Sequence, residues 1–321
     1  MTNPSLYSKF QIDQPVDLKP SNRWPKRAIH YFDEKQVTAI LAAKEICRPL
    51  LIRGEPGCGK TQMARAAAQV LGMPLAMLVV NERTEAEDLF WHYDALKRLS
   101  DANRQDGDGA LDEEKYLSAG PLWWALNHQS AQFNEGRRSA KPELHAEGET
   151  PSSFDNGVLL LIDEIDKADR AVPNSLLEAL GQYSFNVPYT GETVKCESDK
   201  PPLIIITSNG EQALPPAFVR RCLVLNLELP DENEAEFVSW LTKRAGGLFQ
   251  ESLATSTLEA VAKTLHEKRN HGSKNRYRPG LAEYLDHLEA IIAMKKHRPL
   301  LSEEDAINEL GELVYEKDRD L

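Results

Sequence analysis

The segment GEPGCGKT at 54–61 constrains this chain more than any other. It matches the spacing G-x-x-x-x-G-K-[ST] and sits where that spacing has meaning. The apolar run PLLIR (49–53) reads as a buried strand, and TQMARAAAQVLG (61–72) reads as a helix stopped by Gly72. Gly54, Gly57 and Gly59 permit backbone angles that turn successive N–H groups inward, towards an anion. The helix N-terminus adds partial positive charge. Lys60 carries a full charge suited to the β- and γ-phosphates of a nucleotide, and the Thr61 hydroxyl suits Mg²⁺. The expected phosphate-binding set is Gly54, Glu55, Pro56, Gly57, Cys58, Gly59, Lys60, Thr61 and Gln62. A redox role for Cys58 is disfavoured, because the backbone matters more than the side chain at that position.

A second apolar run, GVLLLIDEID (157–166), ends in acids. Two carboxylates at the tip of a buried strand are poorly explained by packing, since an unpaired buried charge is costly. A metal explains the first: Asp163 would hold Mg²⁺ through its water shell. Glu164 would then polarise a water for in-line attack on a γ-phosphate. A third run, PPLIIITSN (201–209), ends in Thr207-Ser208-Asn209. Asn209 either orients that water or forms only an Asn-Gly turn with Gly210. In company with the first two motifs the catalytic reading is favoured. The tetrapeptide Asp166-Lys167-Ala168-Asp169 imitates the guanine-reading N-K-x-D pattern but lacks its Asn, so GTP specificity is rejected.

Around these motifs, apolar runs alternate with helical patterns. Further strands are expected at 75–80 and 221–229. Helices are expected at 33–44, 84–99, from 121 and at 174–182, and a hairpin over 183–196 turning near Thr190-Gly191. Unbroken apolar strands between helices mean a mostly parallel sheet covered on both faces. From Asp231 onward the pattern is helical throughout. The expected fold class is thus an α/β P-loop core followed by a smaller all-helical domain. The expected division is an N-terminal arm (1–30, anchored by Trp24), an α/β domain (31–230) and a helical domain (231–321). A polar segment at 134–156, expected to be mobile, lengthens the α/β part.

Composition narrows the setting. The chain has 321 residues and a net charge of −12, which argues against non-specific coating of nucleic acid. At 41% hydrophobic and 27% charged it is an ordinary globular sequence, so disorder throughout is excluded. A membrane span needs about 20 apolar residues, and no run approaches that. No signal-peptide core is visible, and Cys47, Cys58, Cys196 and Cys222 lack metal-ligand spacing, so reduced thiols in a cytoplasmic protein are expected.

Taken in order, the segments RGEPGCGKTQMARAAAQVLGMPL, TEAEDLFWHYDALKRL, YLSAGPLWWALN, LLLIDEIDKADRAVPNSLLEAL, LPPAFVRRCLVLNLELPDE and RPGLAEYLDHLEA resemble an AAA+ ATPase of the MoxR-type branch. The resemblance covers about residues 35–295. It implies a five-stranded parallel core sheet with a helical lid and, for the excess length between Lys60 and Asp163, a helical insertion near 88–125. It also implies ATP and Mg²⁺ as cofactors, and a homo-oligomeric ring, usually a hexamer, with nucleotide bound between subunits. Asn209 would be the first sensor. Arg220 or Arg221 would be the arginine finger, and Arg278, with Arg276 as rival, the second sensor, acting in cis or in trans. Such ATPases commonly serve a protein client together with a partner bearing a von Willebrand factor A domain. The expected activity is therefore ATP hydrolysis driving remodelling or activation of a partner protein. Two alternatives remain: a DNA-associated motor, against which the acidic composition weighs, and a nucleotide-gated scaffold with slow turnover.

Other features have blander readings. The stretch holding Lys263, His266, Lys268, Arg269, His271, Lys274, Arg276 and Arg278 reads as lining the nucleotide and subunit interface, or as a solvated helix end, rather than as a nucleic-acid site. Trp123-Trp124 read as packing rather than as a substrate grip. Tyr183 and Phe185 divide evenly between pore-facing grips and edge packing.

Overall fold

The structure is a computed structural model and describes residues 6–104, 111–134, 140–144, 151–196, 201–271 and 278–315. A short helix α1 (Leu6–Lys9) precedes an antiparallel pair, β1 (Pro15–Leu18) and β2 (Ala28–Tyr31), with Pro15 opposite Tyr31. Helix α2 (Glu34–Glu45) starts where the Asp33 carboxylate accepts from Gln36 N at 2.7 Å. Strand β3 (Leu50–Gly54), helix α3 (Lys60–Leu71) and strand β4 (Leu75–Val79) follow. Then come α4 (Glu87–Phe90), β5 (Trp91–Tyr93), α5 (Ala95–Arg104), β6 (Leu117–Ala119), α6 (Pro121–Leu126) and α7 (His128–Phe133). Strand β7 (Leu159–Asp163), helix α8 (Ala171–Gln182), the hairpin β8 (Ser184–Asn186) and β9 (Thr193–Lys195), β10 (Leu203–Ser208), α9 (Pro216–Val219) and β11 (Leu223–Leu227) complete the α/β part. Helices α10 (Glu234–Phe249), α11 (Thr255–His271), α12 (Leu281–His297) and α13 (Glu303–Tyr315) end the described chain.

The main sheet runs in the order β11-β3-β10-β7-β4. The ladders β3–β10, β10–β7 and β7–β4 are parallel, with Ile206 beside Ile162 and Ser208 beside Arg53. Every residue of β7 and β10 is buried, as unbroken apolar strands between two covering layers must be. The five-stranded parallel sheet expected from the sequence is present. On one face Leu160, Ile162, Ile204 and Ile206 pack with Trp123 and Trp124, both fully buried. The tryptophan pair is therefore core. No helix among the described residues is long and apolar enough to cross a membrane.

The helix expected over 84–99 is interrupted. Helix α4 stops at Phe90, Trp91–Tyr93 run extended and pair antiparallel with Leu117–Ala119, and Asp94 then caps α5 through Lys97 N at 2.9 Å. Aromatic residues favour a pleated, half-buried surface, and the pairing buries Trp91. Gly120 makes room for this turn, since a Cβ there would lie 2.7 Å from the Leu89 carbonyl oxygen. Some described residues of the 134–156 segment are hydrogen-bonded to neighbouring elements. Glu143 pairs with Leu75 on the outer edge of β4, at 3.0 and 2.8 Å, and Asn156 Nδ2 donates to Gly72 O at 2.8 Å. Residues 135–139 and 145–150 lie outside the described residues. The β8–β9 hairpin turns where expected, with Gly191 at φ +72°.

The chain divides into two compact units. One comprises 1–11, 33–53 and 64–225, and the other 12–32, 54–63 and 226–321. The second unit thus joins the β1–β2 pair, the glycine loop and the C-terminal helices. Its core is Phe237, Leu241, Leu258, Leu265, Tyr284, Leu288 and Ile291. Within it the Tyr31 ring receives Lys243 Nζ at 5.3 Å from its centroid. His287 is fully buried there, with Nδ1 2.8 Å from Tyr315 Oη. Burial disfavours the imidazolium and lowers the His287 pKa to about 4. Its contribution is therefore fully present above the ordinary histidine value and is lost as the pH falls from there towards 4. Between pH 7 and 4 the wild type should lose about 3 kcal/mol more unfolding free energy than a His287→Leu variant, measured by denaturant titration at each pH.

Candidate functional site

The loop belongs to the second unit. Gly57 and Gly59 have φ of +75° and +98°, a region that side chains disfavour. A Cβ on Gly57 would lie 3.0 Å from the Ala282 Cβ, so the crest of the loop rests on the first turn of α12. Pro56 runs beside Gly280, the N-cap of that helix. Cys58 is buried in the same apolar cluster as Leu229 and Leu281, and burial raises its thiol above the ordinary range. It is a packing residue. Lys60 is 6% exposed, and its ammonium donates to Gly54 O at 2.7 Å and Glu55 O at 2.9 Å. The loop therefore wraps its own lysine. Thr61 and the half-buried Gln62 follow in the first turn of α3.

Glu55 is the acidic member of the loop, and two arginines hold it. Arg269 Nη2 donates to one carboxylate oxygen and Arg278 Nη1 to the other, the latter at 3.2 Å. Both arginines also reach Asp231 Oδ2, Arg269 at 2.7 Å and Arg278 at 2.6 Å. Arg269 further donates to Pro279 O at 2.9 Å. Burial alone would raise the Asp231 carboxyl. The hydrogen bond from Arg269 and the charges of both arginines outweigh it and leave the group below its ordinary value.

The acidic strand end belongs to the first unit. Asp163 is 8% exposed, and its Oδ1 accepts from Thr207 Oγ1 at 2.5 Å. The same hydroxyl accepts from Glu164 N at 2.9 Å. Glu164 is in the left-handed region, with φ 60°, a conformation that costs a non-glycine residue roughly 1–2 kcal/mol. Both of its oxygens are engaged: Lys167 Nζ lies 2.8 Å from Oε2, and Asn209 Nδ2 donates to Oε1 at 3.3 Å. Asp166, 2% exposed, accepts from Asn209 N at 3.2 Å and Glu211 N at 2.9 Å. It holds the turn after β10, so the Asp166–Asp169 tetrapeptide has a structural job. Asn209 meets Glu164 directly, a contact beyond what an isolated turn would make.

Arg220 and Arg221 are both exposed after α9. Their carbonyls accept from Arg48, and Arg221 Nη1 donates to Ala217 O at 3.2 Å. Among the described residues neither pairs with a carboxylate. Arg276, the rival to Arg278, lies outside the described residues, as do Lys274 and the His271 side chain. Phe185 packs on Phe90 and Trp91 at ring separations of 5.0 and 5.7 Å, and Tyr183 donates to Cys47 O, so both pack rather than project. Sequence reasoning did not single out Asp231, Thr207 or Lys167 as site residues, and it placed Arg269 only within a basic stretch lining the nucleotide and subunit interface or ending a helix. For Arg269 a signal existed: Leu258, Ala262, Leu265 and Arg269 continue one apolar stripe of α11, and a cation at a core position needs partners.

The close contact of Gly57 with α12 is testable. Gly57→Ala adds a Cβ at positive φ and should lower unfolding free energy by about 1–3 kcal/mol in denaturant titration, whereas a change under about 0.5 kcal/mol would contradict it.

Comparison with known proteins gives the family. A family described as AAA domain (dynein-related subfamily) matches residues 49–222, from the first residue before β3 to the last before β11. A mutant of Thermotoga maritima RuvB is similar in structure, with a TM-score of 0.49 and 16% identity over 89% of this chain and 69% of that one. With more than half of its length matched, the chain belongs to the AAA domain family, dynein-related subfamily.

Proposed function

We propose that this chain is a Mg²⁺-dependent ATPase working in a homo-oligomeric ring, a hexamer by its resemblance to the MoxR-type branch. The ring would couple hydrolysis to remodelling or activation of a partner protein. One observation carries the reading. Parallel β3, β10 and β7 are neighbours, so the glycine loop, Asn209 and the Asp163-Glu164 pair all leave the sheet at its carboxyl edge. Open α/β sheets take their ligands at that edge.

The residues fit the chemistry. The loop offers positive-φ glycines and a desolvated ammonium held by two of the loop's own carbonyls and, at 3.9 Å, the Cys58 sulfur. Phosphate oxygens are stronger acceptors for that ammonium. The Thr61 hydroxyl and Asp163 carboxylate are hard oxygen ligands of the kind Mg²⁺ prefers. The ion, when bound, neutralises phosphate charge. Glu164 takes the proton of the attacking water, and Asn209, already on its carboxylate, orients the pair. Arg220 and Arg221 present exposed guanidinium groups, and we assign one of them to a neighbouring subunit's nucleotide. Arg278 is the candidate second sensor. The client would act with a partner bearing a von Willebrand factor A domain, and four free thiols fit a cytoplasmic setting.

The test is the ATP hydrolysis rate per subunit across a protein concentration series. Turnover should rise steeply with concentration, and Glu164→Gln should reduce it by about 10²–10⁴-fold. A rate per subunit that stays flat, with Glu164→Gln still active, would contradict the reading.

A further inference from the structure

The phosphate loop is held by a group that lies far from it in sequence. Arg269 has a side chain only 2% accessible, yet it carries a full charge in the helical unit. A buried guanidinium is costly unless its donors are satisfied. Here each of its three nitrogens has an acceptor: Nε donates to Asp231, Nη1 to the Pro279 carbonyl and Nη2 to Glu55. Arg278 contacts the same two carboxylates but is 45% accessible, so it is the replaceable member of the cluster. Glu55 sits one residue before Pro56 and two before Gly57, the part of the loop that rests on α12. A rigid, planar fork that joins Glu55 to Asp231 and Pro279 thus fixes the height of the loop on the helices that support it.

We propose that Arg269 is a positioning residue for the phosphate loop, acting through the Glu55 carboxylate to hold the loop in its nucleotide-binding shape. This rests on the reading of 54–62 as the nucleotide-binding loop.

Electrostatics alone predicts the opposite sign for one variant, which makes the proposal testable. Removing the Glu55 charge beside an anion site should tighten binding if the carboxylate only repels phosphate. If it is the handle by which Arg269 holds the loop, binding should weaken. The measurement is the dissociation constant of a fluorescent ADP and a fluorescent ATP analogue with Mg²⁺. It is made on the full chain for wild type, Lys60→Ala, Glu55→Gln, Arg269→Lys and the Glu55→Gln/Arg269→Lys double variant, each with a thermal melt. Arg269→Lys keeps the charge but loses the fork. We expect Glu55→Gln and Arg269→Lys each to weaken binding about tenfold, and the double variant to be no weaker than the worse single one. Should Arg269→Lys fail to fold, Glu55→Gln, at a half-exposed position, decides alone. Unchanged or tighter binding in Glu55→Gln, or multiplying losses in the double variant, would overturn the proposal. Binding by wild type that is lost in Lys60→Ala keeps the loop reading intact in that case. No binding by wild type would remove both.

Discussion

One hydroxyl carries the acidic end of β7. Thr207 donates to the Asp163 carboxylate and accepts the Glu164 N–H, so a single side chain on β10 fixes two consecutive acids at the end of β7. That depends on the parallel register of the two strands, which brings Ile206 beside Ile162 and carries Thr207 level with Asp163. A buried carboxylate without such a partner would be costly. The left-handed backbone at Glu164 depends on the same contact, because its N–H must find an acceptor away from the ladder. The strain is thus held by the sheet and turns the Glu164 side chain towards Asn209 and Lys167.

The second support is ionic and lies in the other unit. The glycine loop is tied there in three ways: Cys58 in the apolar cluster, Gly57 on the first turn of α12, and Glu55 in the grip of Arg269 and Arg278. The loop is short and glycine-rich, and such a segment has much conformational freedom to lose. Its contacts with the helical unit supply order that its own sequence lacks.

Much of the sheet was legible because its strands are unbroken apolar runs, which have few other uses at that length. The loop was legible because its residue types answer to one chemistry. The break in 84–99 was not, since Trp91-His92-Tyr93 can be read on a helical period and only pairing with 117–119 decides otherwise. The tie of Glu143 to β4 was hidden by a polar composition that reads as loop. The allotment of 54–63 and 12–32 to the helical unit was invisible too, because it rests on contacts between segments far apart in the chain. Arg269 was seen only as one cation among several. Its burial was implicit in the stripe of α11, but its acids, Glu55 and Asp231, are 214 and 38 residues away.

The central claim is that the loop, the acidic strand end and the polar tip of β10 serve one nucleotide. Hydrogen–deuterium exchange with and without Mg²⁺ and a non-hydrolysable ATP analogue tests it most directly. The account predicts that 54–62, 163–164 and 207–209 all gain protection when nucleotide is added, and that Lys60→Ala abolishes the gain at all three. Protection at the loop alone, or at none of them, would contradict it.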